Sequence, residues 1–207
     1  MIYLKEFGEI RFKYYIAAQA LTNQEIRNCL ANPKTRELLH ELSKSDNFIQ
    51  ATRGSIRPTR MADEELILRF IAFYLIDSGN SNTIEYKGGM DSLLDETVEL
   101  LNNSNMELIK EIRNVFFIAM DNAFYLFGDN AFRKANYINK ALFLGISRIL
   151  SKFSREKIRQ KDVVLINTKL NDAIMNNIKF RNALSMATND ARNVKIVYDT
   201  VSKIIGE

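Results

Sequence analysis

The chain has 207 residues, of which 46% are apolar, and a formal net charge of +4. This length can bury one substantial core, and so small a charge excess is compatible with a polyanionic partner without indicating one. A single cysteine excludes an internal disulfide, so nothing in the chain requires an oxidising compartment. Only two prolines and eight glycines interrupt the sequence, which favours long helices and predicts an all-α fold.

The first eighteen residues, Met1 to Ala18, differ from the rest of the chain. Glu6 and Glu9 interrupt their apolar residues, so the segment is not typical of a secretion signal. The most apolar stretch, Leu66 to Ile76, has about half the length that a bilayer requires. We therefore expect a cytoplasmic protein without a membrane partner, with an atypical segment over 1–18 and a single helical domain over 19–207.

Helix start signals divide the first third of the chain. Thr22 and Glu25 have the spacing of a capping box, in which each side chain accepts a hydrogen bond from the backbone N–H group of the other residue. The helix that begins there ends near Leu30, and Pro33 begins the next one. A basic loop from Thr52 to Arg60 follows.

The next segment is the centre of the predicted fold. Its apolar side chains cover nearly every face of a helix over about 62–76, so we expect a compact multi-helix bundle around this central buried helix. Arg69 lies in the middle of the segment, where an unpaired charge would cost several kcal/mol. Glu65, one turn earlier, is its expected partner, and the alternative for Arg69 is a place in a charged-ligand site.

The remaining sequence is also predicted to be helical. A polar loop and the turn Tyr86 to Gly89 precede a short acidic helix over about 90–101. Ser104 and Glu107 repeat the capping-box spacing and begin a long helix that Gly128 ends. The apolar spacing then predicts three further helices, the first two joined by a basic connection over 152–161.

Few residues could carry catalysis or bind a metal. Cys29 and His40 are the only residues of their types, which excludes a zinc site of the usual His/Cys kind, and we interpret Cys29 as a core residue and His40 as a surface residue. Asp77, Glu85 and Lys87 have spacing similar to that of Mg²⁺-dependent nucleases, but they fall in a predicted loop rather than on strands. We expect no catalytic residue, metal or cofactor, and such a nuclease is the least favoured alternative.

Two basic segments, residues 53–60 and 152–161, are candidate phosphate contacts. Their cationic side chains are Arg53, Arg57, Arg60, Lys152, Arg155, Lys157, Arg159 and Lys161. Such side chains could neutralise DNA phosphates, although Glu156 and Asp162 are close to the second group. A stripe of Phe116, Phe124 and Phe127 has helical spacing, which is typical of a core rather than of a base-stacking platform. An independent nucleic-acid-binding module is the main alternative function.

Four segments have residue patterns more specific than those that any helical protein requires. Ala20 to Cys29 and Arg60 to Phe73 resemble the L-N-x-Q-E-[IL]-R-N and R-M-x-D-x-E-L-x-L-R-F-x-A-F segments of the N-terminal domain family of GmrSD-type restriction endonucleases. Tyr86 to Leu94 is similar to its Y-K-G-x-M-x-x-F-L segment, and Phe127 to Arg133 to its F-G-x-x-A-F-R segment. The final helix, which begins with Thr188 to Asp190, also fits. The resemblance runs from about residue 19 to the C-terminus, with the motifs in the family's order.

The resemblance implies the helical half of a protein that helps to restrict modified phage DNA. In complete family members, a ParB/sulfiredoxin-like half with a D-G-Q-Q-R motif for nucleotide hydrolysis precedes the helical half, often beside a separate HNH nuclease module. The present sequence has no D-G-Q-Q-R motif and only one histidine, so neither activity is carried over. Met1 to Ala18 also lacks the F-E-R and N-[ST]-G-G elements usual before the Ala20 segment, from which we expect a truncated remnant.

We therefore expect a non-catalytic partner half, whose candidate partners are DNA, a nucleotide-hydrolysing domain or subunit, and a second copy of the chain. A homodimer is a candidate because a surface that has lost its packing half favours self-association. The residues expected to face a partner or a phosphate group come from the first two resembling segments: Asn23, Glu25, Arg27, Asn28, Arg60, Asp63 and Arg69. The alternative for all of them is a polar network that packs helices together.

Overall fold

A computed structural model describes residues 20–79 and 85–206 of the chain. Within these ranges the fold is all-α, as predicted, with eleven α-helices and one two-residue-per-strand hairpin. The atypical segment over 1–18 lies outside the described residues, and its assignment stays an expectation. None of the described helices is both long enough and apolar enough to cross a membrane.

The helices are numbered here in chain order. They are α1 (Asn23–Leu30), α2 (Pro33–Lys44), α3 (Asp46–Thr52), α4 (Ala62–Ser78), α5 (Met90–Asn103), α6 (Met106–Phe127), α7 (Lys140–Leu150), α8 (Arg155–Arg159), α9 (Val163–Asn176), α10 (Ile178–Ala183) and α11 (Ala191–Ile205). Strands β1 (Arg133–Lys134) and β2 (Tyr137–Ile138) pair antiparallel. Single 3₁₀ turns at Thr59–Met61 and Gly128–Asn130 precede α4 and follow α6.

Helix α4 is the centre of the bundle. Its apolar side chains from Leu66 to Leu75 are buried, and α4 packs against α1, α2, α5 and α7. The predicted central helix is therefore confirmed. An element that is apolar on every side can be stable only when other helices surround it.

The two predicted capping boxes have different outcomes. At α1, the Glu25 N–H group donates to the Thr22 hydroxyl at 3.2 Å and the Thr22 N–H group donates to the Glu25 carboxylate at 2.6 Å, which confirms the first box. At α6, the cap is Asn105, whose side chain accepts from the Leu108 N–H group at 2.9 Å. The box predicted at Ser104 is wrong by one residue, because the Asn105 side chain provides the competing cap.

Short elements were not predicted. Helices α3, α8 and α10 have five to seven residues each, too few for helical periodicity to be recognised. Helix α8 lies inside the segment predicted as a basic connection. The hairpin holds the chain after α3, because Arg133 donates to the Thr52 carbonyl at 3.1 Å and to the Ser55 hydroxyl at 2.5 Å. The F-G-x-x-A-F-R segment is thus a structural turn.

The core position predicted for Cys29 is wrong. Cys29 is exposed rather than in the core. Helix α1 buries the side that carries Gln24 and Arg27, and Cys29 lies two residues after Arg27, about 200° around the helix. His40 is exposed, as predicted, and the three phenylalanines of the α6 stripe belong to the core or pack against it.

A close contact places α11 on α7. A Cβ atom added to Gly145 would lie 2.6 Å from a Val197 methyl group, so only glycine lets the two helices approach this closely. The contact brings Tyr198 of α11 next to Arg148 of α7, whose guanidinium carbon is 4.1 Å from the tyrosine ring centroid.

Candidate functional site

Segments that resemble the restriction family meet on one side of the molecule. This surface, here called the motif face, consists of residues 20–30, 60–69, 85–95 and 188–190. Side-chain hydrogen bonds connect the four segments across sequence separations of 35 to 120 residues. Residues that are distant in the sequence therefore form one network that joins α1, α4 and the turn before it to the start of α5 and of α11.

Glu25 and Arg60 connect α1 to the turn before α4. The Arg60 guanidinium donates to one Glu25 carboxylate oxygen at 3.0 and 3.3 Å, and it also donates to the Ala20 carbonyl. Hydrogen bonds from Arg60 and Thr22 lower the pKa of Glu25 to about 2. The carboxylate is thus charged at neutral pH, and it anchors the first turn of α1.

Arg27 connects α1 to α5 and is 3% exposed. It donates to the Asp91 carboxylate at 2.6 Å, to the Asp95 carboxylate at 2.7 Å and to the Asp91 carbonyl at 3.2 Å. Hydrogen bonds from Arg27 and then from Asn23 lower the pKa of Asp91. Sequence reasoning missed both aspartates, although their spacing of four residues on one helix face was the available signal.

Arg69 has the partner that the sequence predicted. Its Nε and Nη2 atoms donate to Glu65 at 3.0 and 2.7 Å, and its Nη1 atom donates to the Asn189 side chain at 2.9 Å. Lys140 lies 3.2 Å from the same Glu65 oxygen. Burial would raise the pKa of Glu65, but the charges of Arg69 and Lys140 outweigh it and lower the pKa. The Tyr86 hydroxyl donates to the Asn189 carbonyl and completes this part of the network.

Asp63 and its neighbour face α2 instead. The Asp63 carboxylate is 3.4 Å from the Lys44 ammonium group, and Glu64 is 3.7 Å from His40. Burial, and then the charge of Asp63, raise the pKa of Glu64. Asp63 is buried and holds α4 on α2, so the structure separates it from the other candidate binding residues.

The outer side of α1 is the accessible part of the motif face. Asn23 is exposed and Asn28 is half-buried. Three apolar side chains, Leu21, Ile26 and Leu30, are exposed beside them. The inner side carries Gln24, which is 2% exposed and whose amide atoms have no hydrogen-bond partner among the described residues. Helix α1 thus combines a buried inner side, which carries Gln24 and Arg27, with an outer side that exposes both apolar and polar residues.

Acidic residues of α6 and of the 3₁₀ turn that follows it neutralise part of both basic segments. Arg155 donates through Nε to Asp121 at 2.7 Å, and Arg53 is 3.6 Å from Asp129. Arg60 belongs to the motif face. Arg57 and Lys157 are exposed, and neither forms an ion pair with a described residue.

Aromatic and backbone groups engage the other cations of residues 152–161. The Lys152 ammonium group donates to the Tyr198 hydroxyl, and Lys161 donates to the Gly206 carbonyl at 2.8 Å. The Arg159 guanidinium carbon lies 5.9 Å from the centroid of the Tyr125 ring. Intramolecular contacts therefore occupy most of the candidate phosphate-binding side chains.

The three residues of the nuclease alternative do not form one site. Asp77 pairs with Arg148 at 2.5 Å, whereas Glu85 and Lys87 pair with each other at 3.2 Å and are exposed. Across the described parts of the chain there is no group of three or more His, Cys, Asp or Glu side chains that could hold a metal ion. This geometry gives no support to a metal-dependent nuclease.

Comparisons with known proteins add nothing to the resemblance to the GmrSD-type family, which depends on the four sequence segments alone. No protein-family model matches this chain, and neither a curated protein nor a solved structure is significantly similar to it. The observations that bear on function are therefore the motif face and the residues that compose it.

Proposed function

We propose that this chain is the helical partner half of a GmrSD-like restriction protein, and that it acts by docking rather than by catalysis. The motif face carries the proposal, because segments that resemble the family contribute hydrogen-bonding partners to one network. The network fixes α1 against α5 and the turn before α4, and the outer side of α1 stays accessible.

The chain enters the described fold beside this surface. Arg60 donates to the carbonyl of Ala20, which immediately precedes the exposed Leu21. The nucleotide-hydrolysing half of a complete family member would connect just before this point, within reach of α1. Exposed Ile26 and Leu30, next to polar Asn23, give the mixed apolar and polar composition of a protein–protein contact.

The pairing of the charged residues favours docking over phosphate binding. Glu25, Arg27 and Arg69 each have oppositely charged partners within the chain at 3.0 Å or less. A phosphate group would have to displace these carboxylates, which hold the arginines by charge-assisted hydrogen bonds. The role that fits these residues is to fix the shape of the surface.

Calorimetric titration tests the proposal. The chain is titrated with the separately produced D-G-Q-Q-R half of a complete family member, and we expect saturable binding. Ile26→Arg should weaken it about tenfold or more, since a charge at an interface centre must be desolvated. Val164→Arg is the matched control, because Val164 is also an exposed apolar helix residue but lies on α9. Absence of binding, or equal binding by both variants, would contradict the proposal.

A DNA-binding measurement on the same purified protein tests the alternative, a nucleic-acid-binding module. That module would bind duplex DNA with an affinity that falls steeply as salt rises, and it would depend on Arg57 and Lys157. We expect no duplex binding above background at low salt, because intramolecular partners occupy Arg53, Arg155 and Lys161. Salt-sensitive binding that Lys157→Glu abolishes would replace the docking proposal.

A further inference from the structure

A separate cleft lies between the C-terminal part of α4, the turn before α5, and helices α7 and α11. Its volume is about 410 Å³, within the range of small-molecule sites. Its lining includes Phe73, Tyr86, Arg148, Ala191, Lys195 and Tyr198. Glu85 and Tyr86, which also line the cleft, belong to the motif face as well.

Aromatic rings and one guanidinium group form a continuous wall of the cleft. The Phe73 and Tyr86 ring centroids are 5.0 Å apart at an interplanar angle of 66°. The Arg148 guanidinium carbon lies 4.9 Å from the Phe73 centroid and 4.1 Å from the Tyr198 centroid. The order along the wall is therefore Tyr86, Phe73, Arg148 and Tyr198, a set of flat groups that favours a flat ligand.

Arg148 is held rigidly in this wall. Its Nε and Nη2 atoms donate to the two carboxylate oxygens of Asp77 at 2.5 and 2.6 Å, and both side chains are 15% exposed. The Nη1 atom has no acceptor among the described residues, so its N–H groups are available to a ligand. A fixed donor between two rings needs little rearrangement on binding.

Each charged side chain that lines the cleft has an oppositely charged partner, which balances the charges of the lining. Asp77 neutralises Arg148, and Asp199 is 3.0 Å from the Lys195 ammonium group. Glu85 is paired with Lys87. This balance favours a ligand of little net charge over a highly charged one such as a nucleoside triphosphate.

We propose that this cleft binds a planar heteroaromatic group with a hydrogen-bond acceptor on its edge, of the nucleobase class. The ring would pack against the exposed parts of Tyr86 and Tyr198, and its acceptor edge would receive a hydrogen bond from Nη1 of Arg148. This site is separate from the outer side of α1, where docking is proposed, since neither α1 nor the turn before α4 lines it.

The probes are adenosine, guanosine, cytidine and uridine, with ribose as the control without a ring system. Each is titrated into the full chain and followed by saturation-transfer NMR, and we expect at least one nucleoside to bind with a Kd of about 1 mM or tighter. Tyr198→Ala should weaken binding about tenfold, as expected for loss of one stacking side chain. Tyr137→Ala is the matched control, an exposed tyrosine on the hairpin that should leave binding unchanged.

A second variant covers the case in which Tyr198→Ala disturbs the fold. Ala191→Phe adds volume at the cleft wall from a partly exposed position, and it should also weaken binding about tenfold while circular dichroism stays that of the wild type. No saturable nucleoside binding, binding equal to that of ribose, or full affinity in Ala191→Phe would each overturn the assignment. No partner half is added here, so failure of this site is distinguishable from failure of docking.

Discussion

The motif face and the two basic segments use the same residue types differently. Arg27 of the motif face is 3% exposed and donates three hydrogen bonds to Asp91 and Asp95. Arg57 and Lys157 of the basic segments are exposed and form no ion pair with a described residue. A buried arginine holds the fold together, whereas an exposed one contributes little to it. Burial and partners, rather than the density of positive charge, therefore show which cations matter to the structure.

The largest expected effect comes from Arg27. Arg27→Ala should lower the free energy of unfolding by about 2 to 3 kcal/mol, because it removes a buried side chain together with its charge-assisted hydrogen bonds. Arg57→Ala, the exposed control, should change it by less than about 0.5 kcal/mol. Urea denaturation measures both values. Equal losses in the two variants would remove the distinction between the regions.

The second effect is a pH dependence at Glu25. Its pKa is about 2 in the folded chain against an ordinary value of 4.5, so the folded state favours the charged form. The stabilisation is complete above pH 4.5 and is lost as the pH falls through about 2. The Tm of Glu25→Gln should be below that of the wild type at pH 7, and the difference should shrink toward pH 2. A Tm difference that does not change with pH would mean that the charge of Glu25 does not contribute to stability.

The smallest change in stability is expected within the basic segment over 152–161. Arg155 pairs with Asp121 at a half-exposed position, so Arg155→Ala should lower the free energy of unfolding by about 0.5 to 1 kcal/mol. Lys157→Ala, two residues later, should be neutral within about 0.5 kcal/mol. Chemical denaturation at two salt concentrations checks both, since only the loss at Arg155 should diminish with salt. A larger loss of unfolding free energy in Lys157→Ala than in Arg155→Ala would contradict the pairing of Arg155 with Asp121.

Local patterns were sufficient for part of this structure. The central helix, the Thr22–Glu25 capping box and the Arg69–Glu65 pair are each encoded within a few residues, and the structure confirms them. Arg27 is different, because its aspartates lie 64 and 68 residues further along the chain. Only the packing of α5 on α1 brings those carboxylates to it; their four-residue spacing places them on one face of α5 but does not identify Arg27 as their partner.

The partner of Asp77, beside the cleft, also could not be predicted from local sequence patterns. The sequence context of Asp77 resembles a metal ligand, but its partner is Arg148, 71 residues away on α7. The approach of α11 to α7 at Gly145 then brings Tyr198 onto that arginine. The pairing therefore depends on the assembled bundle, and it gives Asp77 a structural role that its sequence context does not indicate.

Hydrogen–deuterium exchange on the chain, alone and with the D-G-Q-Q-R half of a complete family member, tests the docking claim most directly. Docking at the motif face predicts slower exchange on mixing at residues 20–30 and at the start of α5, with no change in residues 53–58 or 152–161. Protection confined to those two basic stretches, or protection that appears only when duplex DNA is added, would contradict it.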